Sequence, residues 1–327
     1  MDPRAFLLEL APLPEDARAA YVAAHLPGAR RDGLGNVFAG EGKLLLLAHL
    51  DTVLSPGPVR LQGGRLYGAG VGDNSAGVAV LLSLPPLPGV VRGFTVGEEG
   101  LGNLKGARAL VAALSPETVV AVDGYLPVVV DRALGAVRFR VRLSGPGGHA
   151  WGDRGAPHPV FALAEGLGAA RALLEGKEAS LNATGLKAEA PVNAIPKEAE
   201  ALLELRALEE GVLEGLLGEV EALFRNVARA RGLGFGLEVL GTRPVGATAT
   251  PLLKEAARQA LAEIGERPLF LPGSTDASAA IERGIPALAL GAYRGGGAHT
   301  PREWVLPNSL LEGRRVLMAF LRALGVG

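Results

Sequence analysis

His49, Asp73, Glu99, Asp123 and His299 are metal-ligand residue types, and each falls where a strand-like apolar run gives way to a loop. The chain has no cysteine, so a zinc site here would use nitrogen and oxygen donors only, and five such groups leave room for two metals. His49 and Asp51 end the Leu-rich run that starts at residue 44, and residues two apart on a strand share a face. One ring nitrogen of His49 can then face a metal while the Asp51 carboxylate approaches the other, which fixes the tautomer and raises ligand basicity. Taken alone, the pair also fits a capping aspartate beside a surface histidine.

Asp73 follows the approach Gly68-Ala69-Gly70-Val71-Gly72 and opens the apolar stretch 74–82, which reads as a buried helix. A carboxylate at that junction stands where open α/β sheets carry ligands, although Asp73 taken alone reads first as an N-cap. Glu98 and Glu99 come after the strand-like run 90–96 and before a helix expected from about 103 to 114. Adjacent carboxylates repel unless a cation or proton relieves them; a solvated turn is the other reading. Asp123 ends the apolar run 118–122, and His299 ends a Gly-rich loop after the run 285–290. Four successive strand-like segments deliver a ligand-type residue at the same end, and a fifth arrives near the C-terminus. That repetition points to a site more strongly than any one residue.

The elements that must hold these residues alternate helix and strand from the N-terminus to about residue 131, the pattern of a parallel α/β sheet. Between about 132 and 243 the order changes to strand (136–143), helix (159–174), strands (179–187 and 199–207), helix (210–231) and strand (234–240). That β-α-β-β-α-β order is ferredoxin-like. After Pro244 the α/β pattern resumes, with helices near 250–264 and 309–324. The expected fold is therefore an α/β catalytic domain made of residues 1–131 and 244–327, interrupted by an inserted domain, 132–243.

At 327 residues and 48% hydrophobic content the chain exceeds one ordinary domain and can bury a large core. Thirty-three basic residues against thirty-four acidic give no reason to expect nucleic acid. Apolar runs are broken by Gly, Pro or charge well short of a membrane span, and Met1-Asp2-Pro3-Arg4 does not open a signal peptide. A cytoplasmic enzyme that engages no membrane is expected, and the lack of cysteine fits a reducing compartment.

Ordered motifs run along nearly the whole length: Ala48-His49-Leu50-Asp51-Thr52-Val53, Leu66-Tyr67-Gly68-Ala69-Gly70-Val71-Gly72-Asp73, Thr95-Val96-Gly97-Glu98-Glu99-Gly100, Val122-Asp123-Gly124, Gly147-Gly148-His149-Ala150, Asn193-Ala194-Ile195-Pro196, Leu205-Arg206, Gly273-Ser274-Thr275-Asp276 and Ala298-His299-Thr300-Pro301-Arg302-Glu303. In these the chain resembles the M20 co-catalytic metallopeptidases, a family that includes N-acyl amino acid deacylases. The resemblance implies one zinc on His49, Asp73 and Asp123 and a second on Asp73, Glu99 and His299, with Asp73 bridging; cobalt or manganese would suit the same donors. It also implies Glu98 as general base, Asp51 as the carboxylate orienting His49, and a cis peptide between Asp73 and Asn74.

By the same resemblance, His149 would donate to the carbonyl oxygen as charge develops, and Asn193 and Arg206 would hold a substrate carboxylate. Without the resemblance, Arg206 is also readable as a surface charge on a strand, and His149 as an ordinary loop histidine. The inserted domain matches the family's lid, which usually forms a homodimer and would carry His149 into the neighbouring subunit's site. The implied reaction is metal-assisted amide hydrolysis of a di- or tripeptide, because residues 73–79 and 94–99 look most similar to the tripeptidase-like branch. An N-acyl amino acid deacylase of the acetylornithine, acetyl-lysine or succinyl-diaminopimelate type is the alternative, and a non-catalytic binding module is a third reading. Ala69, Ser75 and Trp151 depart from the family pattern, where many members have arginine, lysine and a small hydroxyl residue. His25 and His158 are expected to be structural or solvent-facing, and Asp276 either caps a following helix or lines the pocket.

Overall fold

Leu44 to Ala48 offer no polar face to water, and the strand they form, Gly42–His49, is buried on both sides from Leu44 onward. It pairs in parallel with Gly89–Thr95 on one side and with Thr118–Val122 on the other. Thr118–Val122 in turn pairs in parallel with Ala287–Leu290. In these registers His49 stands opposite Thr95, Leu47 opposite Ala121 and Val122 opposite Leu290, so four carboxyl ends reach one edge together. The structure is a computed structural model; it describes residues 2–247 and 249–326, in two compact units, Met1–Ala133 with Ala247–Gly327, and Leu134–Gly246.

The first unit is built on an eight-stranded mixed sheet ordered Arg30–Arg31, Val37–Gly40, Gly89–Thr95, Gly42–His49, Thr118–Val122, Ala287–Leu290, Val128–Ala133 and Leu269–Gly273. Alternation along the strands divides its core. Leu46, Ala48, Val120, Val122, Leu288 and Leu290 pack with helices Pro3–Leu10, Ser75–Leu82, Pro251–Ala262 and Ser309–Ala323. Leu45, Leu47, Val119, Ala121, Ala287 and Ala289 pack on the other face with Lys105–Leu114 and Ser278–Ile281. Ser75–Leu82 is apolar all round and buried at every residue. The helix expected from about residue 103 begins at Lys105, because Asn103 and Leu104 are left-handed (φ 52° and 63°) and set it off from a preceding short turn, Gly100–Gly102.

A smaller sheet joins distant parts of this unit. Its strands are Arg60–Gln62, Arg65–Tyr67, Trp304–Val305 and Gly295–Gly296, and the pairing of Tyr67 with Trp304 and Leu66 with Val305 sets the approach to Asp73 beside the segment that follows His299.

The second unit has the β-α-β-β-α-β order, with strands arranged Ala179–Lys187, Glu198–Ala207, Gly135–Ser144, Gly234–Arg243, each antiparallel to its neighbour. That arrangement is ferredoxin-like. Helices Pro159–Ala172 and Glu210–Ala230 cover one face of the sheet around Phe139, Val141, Leu203, Leu205, Val220 and Phe224. The alternate residues carry charge pairs, Arg138 with Glu204, Arg140 with Glu238 and Arg142 with Glu198. Among the described residues no helix is long and apolar enough to cross a membrane.

Candidate metal centre

His49 closes the central strand with its ring buried. Its Nδ1 lies 3.0 Å from the backbone carbonyl oxygen of Asp51, so Nδ1 carries the hydrogen. Nε2 is turned toward Asp73 Oδ1 at 3.0 Å and Asp123 Oδ2 at 3.9 Å. The Asp51 carboxylate stands farther off, with Oδ1 3.7 Å from Nδ1, a difference from the expected carboxylate–imidazole hydrogen bond. Its oxygens instead accept the backbone N–H groups of Glu98, at 3.0 Å, and Glu99, at 2.8 Å. Burial opposes ionisation of Asp51, yet His49 and these two N–H groups hold its carboxyl down at about 2.

The capping role at the helix Ser75–Leu82 falls to Asn74, whose Oδ1 accepts the N–H of Gly77 at 3.2 Å. Asp73 is thereby left to face the site. Its Oδ1 meets His49, and its Oδ2 lies 3.0 Å from Nε2 of His299, which is also 3.1 Å from Glu99 Oε1. The Asp73–Asn74 peptide is cis, and His299 takes a left-handed backbone, φ 64°. Ligand-capable atoms converge within 4.8 Å of one another in three groups: His49, Asp73 and Asp123; Asp73, Glu99 and His299; and His49, Glu98 and Glu99. Glu98, 4% exposed, thus sits against both trios rather than in solvent.

Charge is unevenly shared across this cluster. Burial, then the neighbouring Asp73, pushes the Asp123 carboxyl up to about 7. Burial disfavours a charged His49, but Asp51, Asp73 and Asp123 outweigh it and raise its pKa well above the usual histidine range. Hydrogen bonds to Asp73 and then Glu99 carry His299 up to about 10. Asp73 is buried, yet His299 and His49 keep it below the ordinary carboxylate range. Protons on imidazoles and on Asp123 therefore balance the anions, and divalent cations fit the same sulfur-free donor set in their place.

In the second unit, His149 pairs with Ala194 in a two-residue ladder, and Ala150 N–H donates to the Asn193 carbonyl at 2.9 Å, so His149 and Asn193 lie together. The His149 Nδ1 accepts the backbone N–H groups of Trp151 and Gly152, each at 3.2 Å. Arg206 lies near the far end of the strand Glu198–Ala207, where its Nε donates to Glu204 at 2.6 Å.

The sequence profile described as Peptidase family M20/M25/M40 matches residues 45–323. The chain belongs to this M20 family. No curated protein sequence matches it. Among solved structures, a tripeptidase of Staphylococcus aureus superposes with a TM-score of 0.78 at 18% identity, over 97% of this chain and 96% of that one. The aminopeptidase PepT of Bacillus cereus gives 0.74 at 18% identity, over 98% and 99%. An amidase of the hydantoinase/carbamoylase family from Burkholderia vietnamiensis gives 0.76 at 14% identity, over 98% and 95%. These likenesses establish the M20 fold, and family membership makes the chain a hydrolase of the peptidase and amidohydrolase type.

Around these converging side chains the M20 chain has further buried polar groups whose roles spacing does not reveal. Arg18, 1% exposed, donates to the carbonyls of Ala11 at 2.8 Å, Leu13 at 2.7 Å and Leu50 at 3.0 Å, and so fixes the link between His49 and Asp51. Burial brings its guanidinium down to about 10. Glu303 accepts three backbone N–H groups of the loop ending at Asp73. Asp276 does not cap the helix Ser278–Ile281: the Thr275 hydroxyl accepts the N–H of Ala277 at 3.3 Å, while buried Asp276 accepts the Thr95 hydroxyl. Ser75, at the position where many members have lysine, is fully buried and donates its hydroxyl to the Gly70 carbonyl. His25 stacks on Tyr21 with ring centroids 4.1 Å apart, and His158 lies 4.4 Å from Phe161, both structural placements.

Proposed function

We propose that this M20 hydrolase cleaves an amide bond in a di- or tripeptide, using one divalent ion held by His49, Asp73 and Asp123 and another held by Asp73, Glu99 and His299. The division of Asp73 carries the reading: each of its oxygens faces a different imidazole Nε2, both at 3.0 Å. Zinc is the first choice, and cobalt or manganese suits the same nitrogen and oxygen donors. When bound, such ions supply Lewis acidity toward the scissile carbonyl and the attacking water. Glu98 takes the proton of that water and passes it to the leaving amine nitrogen. By gripping the backbone of Glu98 and Glu99 together, Asp51 sets the base and one ligand with a single carboxylate.

His149 would serve the carbonyl oxygen. Because its Nδ1 accepts two N–H groups, the neutral ring carries its hydrogen on Nε2, the tautomer able to donate to an oxyanion. Asn193 and the Arg206 fork would hold a substrate carboxylate. Eight residues separate Glu198 from Arg206, roughly 26 Å at ~3.3 Å per residue, and the His149–Asn193 pair lies beyond the Glu198 end. A di- or tripeptide is shorter than this span. For both groups to touch one substrate they must come from two copies, which supports a homodimer through the lid unit, with His149 acting in trans.

The tripeptide-like choice rests on residues 73–79 and 94–99 and on the fold shared with the staphylococcal tripeptidase. The departures at Ala69, Ser75 and Trp151 keep an N-acyl amino acid deacylase as the second reading. The cytoplasm, rich in short peptides, is the proposed compartment. The deciding experiment strips the protein of metal, restores zinc, cobalt or manganese, and offers di- and tripeptides beside N-acetyl and N-succinyl amino acids. Peptide cleavage that returns with metal is expected. Turnover of acyl amino acids alone would transfer the assignment to the deacylases, and no turnover with any metal would overturn the catalytic reading.

A further inference from the structure

Glu303 is 2% exposed and lies four residues beyond His299. Its Oε2 accepts the N–H of Gly70 at 2.8 Å, and its Oε1 accepts those of Gly72 at 2.8 Å and Asp73 at 2.7 Å. Its own carbonyl accepts the N–H of Gly68 at 3.1 Å. Every second residue from Gly68 to Gly72, and then Asp73 itself, is thus tied to one residue. Three main-chain donors aimed at one carboxylate form an anion nest; they offset part of the cost of burying its charge, although burial still pushes the Glu303 carboxyl above its usual range.

The glycines of the loop fit this clamp. Gly70 has φ +67°, and a Cβ on Gly72 would stand 2.7 Å from the Tyr293 hydroxyl and 2.8 Å from Glu303 Oε1. Side chains there would keep the N–H groups from closing on the carboxylate. The run Gly68-Ala69-Gly70-Val71-Gly72 is therefore shaped by what grips it from the far end of the chain.

We infer that Glu303 is a positioning residue for the metal centre, holding the Asp73 backbone so that each oxygen of that side chain faces its own trio. The inference rests on the two-ion reading above. A carboxylate that merely stabilised the small sheet around Trp304–Val305 would leave the ligand geometry intact when altered; a clamp on Asp73 would not. Glu303→Gln tests this, because an amide puts an N–H₂ donor against one of the three N–H groups while keeping side-chain size.

The readouts are metal affinity, by competition of the metal-stripped protein with a chromophoric chelator, and the visible absorption of the Co(II)-loaded protein. Asp131→Asn serves as comparison, since it removes the half-buried carboxylate of the 2.6 Å ion pair with Lys254, a pair that includes none of the proposed ligands. Expected for Glu303→Gln is an affinity loss on the order of 10–100-fold, with altered Co(II) bands; Asp131→Asn should show neither, whatever each does to the melting temperature. If Glu303→Gln does not fold, Glu303→Asp keeps the charge with a shorter reach, and the same two readouts apply. A folded Glu303 variant with wild-type affinity and Co(II) bands would overturn the inference and leave the two-ion reading standing. Wild-type protein that takes up no metal would overturn both.

Discussion

Loading the centre with metal should expel protons, and the number should fall as the pH rises. At pH 6 the His49 ring, whose pKa is raised well above the usual range, and His299, at about 10, are both protonated. Asp123, at about 7, then holds its proton about nine-tenths of the time. Metal ligands must be deprotonated, so two bound ions displace about three protons at pH 6. By pH 8 Asp123 has given up most of its proton and the release falls by about one; it falls further as His299 loses its proton near pH 10. Near pH 6 the linkage makes the combined affinity for the ion pair drop about a thousandfold for each unit of acidification. Titration calorimetry in buffers of different ionisation enthalpy measures this directly, because the slope of observed heat against buffer enthalpy is the proton count. A slope near zero at pH 6, or one that grows with pH, would refute the charge balance assigned to these residues.

Other perturbations separate chemistry from scaffold. Glu98→Gln should keep metal uptake near wild type while lowering kcat by about 10²–10⁴-fold, read by steady-state kinetics on the best peptide; unchanged turnover would remove Glu98 as the base. Arg18→Met leaves the carbonyls of Ala11, Leu13 and Leu50 without their donor and should cost about 3–5 kcal/mol in urea unfolding of the metal-free protein, against less than ~1 kcal/mol if water could take its place. Gly313→Ala would bring a Cβ to 1.8 Å from the Ala292 carbonyl oxygen, and a loss on the order of 3 kcal/mol is expected by the same assay; an unchanged midpoint would contradict the close seating of helix Ser309–Ala323.

The frame of the first unit was legible because a strand buried on both faces has to be written as an unbroken apolar run. Leu44 to Ala48 and the run Thr118–Val122 are such segments, and their abrupt ends draw the eye to His49 and Asp123. In the second unit the period changes instead: Phe139, Val141 and Leu143 alternate with Arg138, Arg140 and Arg142, which marks a sheet with one polar face. What spacing hid was the layer that works through the main chain. Arg18 resembles any charged residue of a short amphipathic helix until the carbonyls around it are seen. The partners of Glu303 lie 230 or more positions away and are peptide groups, which every residue possesses and no sequence pattern advertises. For the same reason Asp51 was assigned to the imidazole by proximity along the strand, although its carboxylate serves two N–H groups nearly fifty residues downstream. The choice between cap and site for Asp73 was likewise settled only by seeing that the side chain reaching Gly77 is that of Asn74.

More than half of the chain lies between Asp123 and His299, including the whole of the second unit. At ~5–20 residues per second, synthesis of that stretch occupies on the order of ten seconds or longer. The adjacent strands Gly42–His49, Gly89–Thr95 and Thr118–Val122 are all made before it begins, and with them His49, Asp73 and Asp123. A nascent chain therefore carries one complete trio while the other still lacks its imidazole and the loop between them lacks Glu303. On the two-ion reading proposed above, the order of translation completes the His49 trio before the His299 trio, and the last residues to emerge close the centre.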